Sequence, residues 1–160
     1  MSNPSIQRIL VPHDFGETAE YALRYALLLA EKFGARVIVL HTYEIPSYSY
    51  PEAFVTSVES TVQIEEAARN ALEAVVARVQ RPDLRIDALL RRGTAWTEIG
   101  SAARETKADL IAMGTHGRRG VARALLGSVA EKVVRTAPCP VLTVHPSDVE
   151  REGDVEREAG

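Results

Sequence analysis

The chain has 160 residues, 46% hydrophobic and 26% charged, with a net charge of -3 and a pI near 5.8. That length suits one domain with a full hydrophobic core, and the composition excludes wholesale disorder and a membrane-embedded class. The slight acidity argues against a nucleic-acid binder that works by neutralising phosphates, because such domains are usually basic.

Cys139 is the one cysteine, so no intrachain disulfide forms, and a reducing compartment fits best. Met1 to Gln7 lacks a basic region followed by an apolar one, so no signal peptide is expected. The most apolar stretch, Tyr25 to Ala30, is far too short to span a bilayer. The default expectation is a cytoplasmic protein with no membrane partner.

Ile9-Leu10-Val11-Pro12 reads as a buried strand that ends at a proline. Ala19 to Phe33 follows at helical spacing, and Gly34 supplies its stop. Val37 to Leu40 is a continuous β-branched and apolar run, the pattern of an interior parallel strand. Tyr43 to Pro51, with its prolines, serines and tyrosines, reads as a loop that could cover a ligand or simply lie on the surface.

A long helix is predicted over Thr56 to Val79, with Ala67, Ala71, Val75 and Val79 on one face, and Arg81-Pro82-Asp83 ends it. Leu84 to Leu90 is the third strand, Trp96 to Thr106 a helix whose Trp96 and Ile99 fill the core, and Asp109 to Met113 the fourth strand. Gly114 to Gly127 is a loop, with room for a short helical piece. Val129 to Thr136 is a helix and Val141 to Val144 the fifth strand. Strict alternation of strand and helix predicts an α/β fold, a parallel sheet wound on both faces in the Rossmann-like manner. One domain is expected over residues 1–146. The charged stretch 147–160 has almost nothing to bury and is expected to be disordered.

In such sheets ligands bind beyond the carboxyl ends of the strands. The informative segment follows the fourth strand. Gly114 is separated by two residues from Gly117, and nine more precede Gly127-Ser128. Glycines let backbone N–H groups approach an anion with no Cβ in the way, and the helix opening at Ser128 would aim its N-terminus at the same charge. That end contributes about 0.3–1 kcal/mol at an exposed site, too little to hold a triphosphate alone. Further backbone donors and the guanidinium of Arg118 or Arg119 would have to add to it. Ser128 and Glu131 also stand at capping-box spacing, which gives Ser128 a purely structural job.

Other nucleotide and hydrolase signatures are missing. The sequence has no G-x-x-x-x-G-K-[ST], no G-x-G-x-x-G after the first strand and no G-x-S-x-G.

The pattern Gly114-x2-Gly117-x9-Gly127-Ser128 resembles the G-2x-G-9x-G-(S/T) motif of the ATP-binding branch of the universal stress proteins. Ile9-Leu10-Val11-Pro12-His13-Asp14 is similar to that family's first strand and acidic residue, and Ala137-Pro138-Cys139-Pro140-Val141-Leu142 to its turn into the last strand. The similarity runs from about Arg8 to Val144. It implies a three-layer, adenine-nucleotide alpha-hydrolase-like fold with strand order 3-2-1-4-5, and a homodimer built through the last strand. It also implies bound ATP with Mg²⁺ or Mn²⁺ on the phosphates.

Carried over by position, Asp14 would hydrogen-bond the ribose, Thr42 would line the adenine pocket, and Met113 and Gly114 would flank the nucleoside. Gly117, Arg118, Gly127, Ser128 and Val129 would cradle the phosphates, with Pro12, His13, Thr115 and Arg119 adjoining. Gly16 departs from the family, whose members often carry serine there; Thr18 is then the expected N-cap of the first helix. With no acidic pair dedicated to it, the metal would rest on phosphate oxygens and water.

Simpler roles stand beside these. A helix cap is the plain alternative for Asp14, and a solvated or core-satisfied imidazole for His13. His41, His116, His145 and Cys139 read as structural. Two functions from different classes remain: an ATP-binding regulatory module, and a slow ATPase or self-phosphorylating enzyme. A nucleotide-free dimer is a third. Without a Walker-type lysine, binding is better supported than turnover.

Overall fold

The structure is a computed structural model that describes residues 5–45, 54–115 and 126–145. Within them the chain runs β1 (Arg8–Pro12), α1 (Glu17–Phe33), β2 (Arg36–Tyr43), α2 (Phe54–Val79), β3 (Ile86–Arg92), α3 (Ala95–Glu105), β4 (Leu110–Gly114), α4 (Ser128–Thr136) and β5 (Val141–Val144). All strand pairs are parallel, in the order β3-β2-β1-β4-β5, as expected for an α/β sheet of this kind.

The first two crossovers step outward from β1 in one direction and the last two in the other. A constant crossover handedness then puts α1 and α2 on one face and α3 and α4 on the opposite face. The core divides accordingly. Ile9, Val11, Val37 and Val39 pack with Leu23, Ala26, Leu72 and Val76 on the α1–α2 side. Leu10, Ile38, Leu40 and Ile111 pack with Ile99, Ala102, Ala130 and Val133 on the α3–α4 side. Alternate residues of β1 and β2 therefore face opposite helical layers, which is why both strands read as unbroken apolar runs.

Gly34 ends α1 in the left-handed region at φ 65°, and its N–H bonds to the Ala30 carbonyl. β2 is longer than its apolar run predicts. Its pairing with β3 continues through Thr42↔Arg91 and Tyr43↔Arg92, so polar residues extend the ladder toward the ligand end. The buried face of α2 is formed by Ala68, Leu72, Val75 and Val76, while Ala67 is exposed. Turning the helix this way buries leucine and valine in place of alanine, which removes more apolar area from water. Ile99 is buried as expected; Trp96 is only partly buried and lies under the Lys132 ammonium, 5.3 Å from its ring centroid.

Asp109 precedes β4 instead of belonging to it. One carboxylate oxygen accepts the N–H groups of both Gln7 and Arg8 at 2.9 Å, pinning the start of β1 to that of β4. The tip of the expected Tyr43–Pro51 loop, the centre of the glycine loop and the charged stretch from 147 onward lie outside the described residues. Among those described, no helix is long and apolar enough to cross a membrane.

At the far end of β4, a Cβ built on Gly114 would lie 2.6 Å from Thr18 Oγ1 and 3.1 Å from the Thr18 backbone carbonyl carbon. A rotamer change alone cannot clear that space, because part of the obstacle is main chain. Gly114→Ala is therefore expected to destabilise the fold by about 1–3 kcal/mol, the usual cost of overpacking. Urea unfolding at unchanged m-value measures it; a loss under about 0.5 kcal/mol would show that α1 has slack here.

Candidate functional site

Strand order reverses between β1 and β4, and the carboxyl ends of these strands and of β2 form one edge. Met113 is buried in the α3–α4 core. The two-residue alternation puts Pro12 with Leu10, and Thr42 with Leu40, on that same face. Val129, in the first turn of α4, packs against the same cluster. Four of the expected residues, Pro12, Thr42, Met113 and Val129, are thus brought to one side of the sheet.

The glycine loop is closed at its base. Thr115 N–H donates to the Val144 carbonyl at 2.8 Å, and its own carbonyl accepts Gly127 N–H at 2.7 Å. The last bond ties the end of β4 to the start of α4, so both ends of the intervening segment are fixed to the scaffold. Gly117, Arg118 and Arg119 lie outside the described residues.

α4 begins one residue earlier than the capping-box spacing predicts. Gly127 is the N-cap, Ser128 is the exposed first helical residue, and no side chain caps this end. The correction has a local cause. Gly127 is held in extended geometry by its bond to Thr115, and its carbonyl already accepts Glu131 N–H at 2.9 Å. The Glu131 carboxylate turns instead to Arg135 at 3.0 Å. The N–H groups of Ser128, Val129 and Ala130 precede the first intrahelical donor and emerge from the helix end. Such an end suits an anion.

Across the edge, the β1–α1 turn holds Asp14. Its Oδ1 accepts Gly16 N–H at 2.9 Å, a local turn of the kind aspartate favours. The N-cap of α1 is Gly16 with no side-chain cap; Thr18 lies buried inside the first turn, so it does not take the capping role expected of it. A Cβ at Gly16 would come within 3.0 Å of Asp14 Oδ1, so glycine leaves room for this carboxylate to fold back. Phe15, not Gly16, takes the left-handed backbone, at φ 66°. An aromatic residue rarely sits there, and its neighbours hold it. Its ring stacks on His41 at 4.3 Å, and its N–H donates to His13 Nδ1 at 3.1 Å.

His13 is therefore turned away from Met113 and Thr42, toward α1 and α2. Its Nε2 lies 3.4 Å from Glu20 Oε1, within ion-pair distance but without hydrogen-bond geometry, and among the described residues that buried nitrogen has no hydrogen-bond partner. The same Glu20 oxygen takes a guanidinium N–H of Arg78 at 2.6 Å. Burial lowers the His13 pKa below its ordinary value; Glu20 and Asp14 oppose the shift, Arg78 and His41 add to it. The ring is held neutral.

His41 bonds the His13 carbonyl at 2.7 Å, and Tyr43 points to α2, donating to Glu65 at 3.0 Å. Burial, with Asp109 adding, raises the Cys139 thiol pKa, which suits a packing role. Sequence reasoning missed Phe15. The one hint was the x in His13-Asp14-x-Gly16 being aromatic, with two histidines at neighbouring strand ends.

Among the described residues, no group of three or more His, Cys, Asp or Glu side chains could hold a metal ion.

Comparison with known proteins fits this geometry. Residues 5–145 match the model of the Universal stress protein family. A universal stress protein of Thermus aquaticus is 39% identical over 137 residues, covering 85% of this chain and 96% of the relative. The solved structure of MJ0577 from Methanocaldococcus jannaschii, a universal stress protein, is 29% identical with a TM-score of 0.73, covering 88% of this chain and 96% of that one. A universal stress protein solved in complex with cAMP is 25% identical with a TM-score of 0.58, covering 88% and 98% respectively. On the family match and this strand order, the chain belongs to the universal stress protein family.

Proposed function

We propose that the chain is an ATP-binding regulatory module of the stress response, whose bound nucleotide biases a dimer or a partner surface. The observation that carries this reading is the Thr115–Gly127 bond, which joins the open N-terminus of α4 to the carboxyl end of β4, next to the reversal of strand order. The adenine would lie on the α3–α4 face against Thr42, with Pro12, Met113 and Gly114 flanking the nucleoside and Asp14 on the ribose. The phosphates would meet Thr115, Gly117, Gly127, Ser128 and Val129, with Arg118 and Arg119 as charge partners. A relative in complex with cAMP supports an adenine nucleotide in this fold.

Mg²⁺ or Mn²⁺ would ride on phosphate oxygens and water, which needs no protein cage and fits the described donor set. Its chemistry there is charge neutralisation of the phosphates. Among the described residues β5 is the outermost strand on that side, and a second copy pairing along its outer edge would give a homodimer. A cytoplasmic location and a single domain through residue 146, followed by the charged stretch 147–160, accompany this reading.

Binding is favoured over turnover. His13, the histidine nearest Asp14, faces Glu20 on the other side of the sheet, out of line with an attacking water near the phosphates.

Mass spectrometry of gently purified protein, followed by a timed ADP assay, tests the pair of readings. ATP that persists for hours is expected; prompt ADP release would favour the enzyme. Gly117→Val should abolish ATP retention while the far-ultraviolet spectrum stays native, and unchanged ATP binding by calorimetry would remove the loop from the site. Asp14→Asn keeps an oxygen for Gly16 N–H but removes the charge. Thermal unfolding should hardly move, while ATP affinity should fall roughly tenfold, the scale of one hydrogen bond to a charged group. Equal affinity would assign Asp14 to the turn alone.

A further inference from the structure

We propose that His13 is a positioning residue for the Asp14 turn: its neutral ring holds the turn in nucleotide-binding shape, and protonation releases it, making ATP affinity acid-sensitive. The proposal rests on the nucleotide reading above, and it extends that reading to regulation.

The argument begins with hydrogen-bond polarity. Phe15 N–H can only donate, so His13 Nδ1 must accept from it, and the proton of the neutral ring sits on Nε2. A second proton would have to enter at Nδ1, putting two donors face to face across 3.1 Å. One must leave. The backbone at Phe15 is the weaker party, because its left-handed geometry is held only by its neighbours. Phe15 connects Asp14 to Gly16, so its departure also breaks the bond from Gly16 N–H to Asp14 Oδ1.

The groups facing the ring are Glu20 from α1, Arg78 from α2, His41 from β2, and Asp14 in its own turn. Glu20 would welcome the charge, yet its nearer oxygen is already bonded to Arg78. The ring itself is 3% exposed and has no water-facing side to solvate an imidazolium. The folded state thus prefers the neutral ring. Stability linked to His13 is complete above the ordinary histidine range and is lost as pH falls through the lower folded value.

Two measurements on the full chain test this. Long-range proton–nitrogen NMR without ligand should show the Nε2–H tautomer at about pH 7.5, with a Phe15 amide resonance that shifts as the ring titrates. An Nδ1–H tautomer, or a Phe15 amide blind to the ring, overturns the proposal. This result stands apart from the nucleotide reading: if the wild type binds no ATP, that reading falls and NMR alone decides the turn.

The second measurement is calorimetry with magnesium-ATP from about pH 7.5 down to about pH 4.5, because burial makes this ring titrate below the usual histidine range. His13→Leu, which cannot accept from Phe15, should lose roughly tenfold in affinity at the higher pH. His13→Asn, whose oxygen can stand where Nδ1 does, should restore most of that loss. On acidification the wild type should weaken roughly tenfold more than His13→Asn. Titration of the ligand's own phosphate is common to both proteins, so the difference reports the ring. Equal acid loss in the two overturns the proposal, and that comparison holds even if His13→Leu fails to fold.

Discussion

The contact between Thr18 and the bare Cα of Gly114 sets how close α1 lies to β4, and the carboxyl edge of the sheet is arranged around it. Gly114 follows Met113 on the strand that borders the reversal of order, and Thr18 belongs to the first turn of the helix that begins just after Asp14. With α1 drawn in, the β1–α1 turn is short. Asp14 folds back onto Gly16 N–H in that turn, while His13 is turned toward α1 and α2. A larger residue at Gly114 would push α1 outward and move Asp14 with it. The first glycine of the motif therefore has a packing task on the α1 side of β4, independent of any anion on the other.

Much of the fold was legible because the interior strands are apolar on both faces and the helices are not. Ile9–Val11 and Val37–Leu40 have no polar face to offer water, which fits only a sheet covered on both sides. Strand order, by contrast, came from family resemblance; hydrophobic pattern has no term for which neighbour a strand selects. Helix faces were misjudged where small residues competed with large ones. Ala67 fits the period on α2 as well as Ala68 does, but Leu72 and Val76 decide the rotation through the area they bury.

The candidate site was legible in unequal parts. Thr42 and Met113 were named from family resemblance alone; the structure puts Thr42 in β2 paired with Arg91 and buries Met113 on the α3–α4 side. The caps differ from expectation. Ser128 and Thr18 both carry the right chemistry for an N-cap, and in both helices a glycine precedes them in that position because a neighbouring hydrogen bond fixes its backbone first. His13 shows the same limit in another form. Adjacent to Asp14 in sequence, it turns toward α1 and α2, away from Met113 and Thr42, since successive residues at a strand end point to opposite faces. Its reach toward the site runs through the Phe15 N–H that it accepts.

The bond between Thr115 and Gly127 has a consequence for how such a protein can change over generations. Thr115 and Gly127 fix the two flanks to the framework, and doubling the length of a connection between fixed ends costs only about 0.6 kcal/mol in closure entropy. Residues 116–126 can therefore be lengthened, shortened or rewritten while β4 and α4 keep their places. Variation between the two anchors becomes separable from foldability, and descendants of one scaffold are free to rewrite that connection without refashioning the sheet beneath.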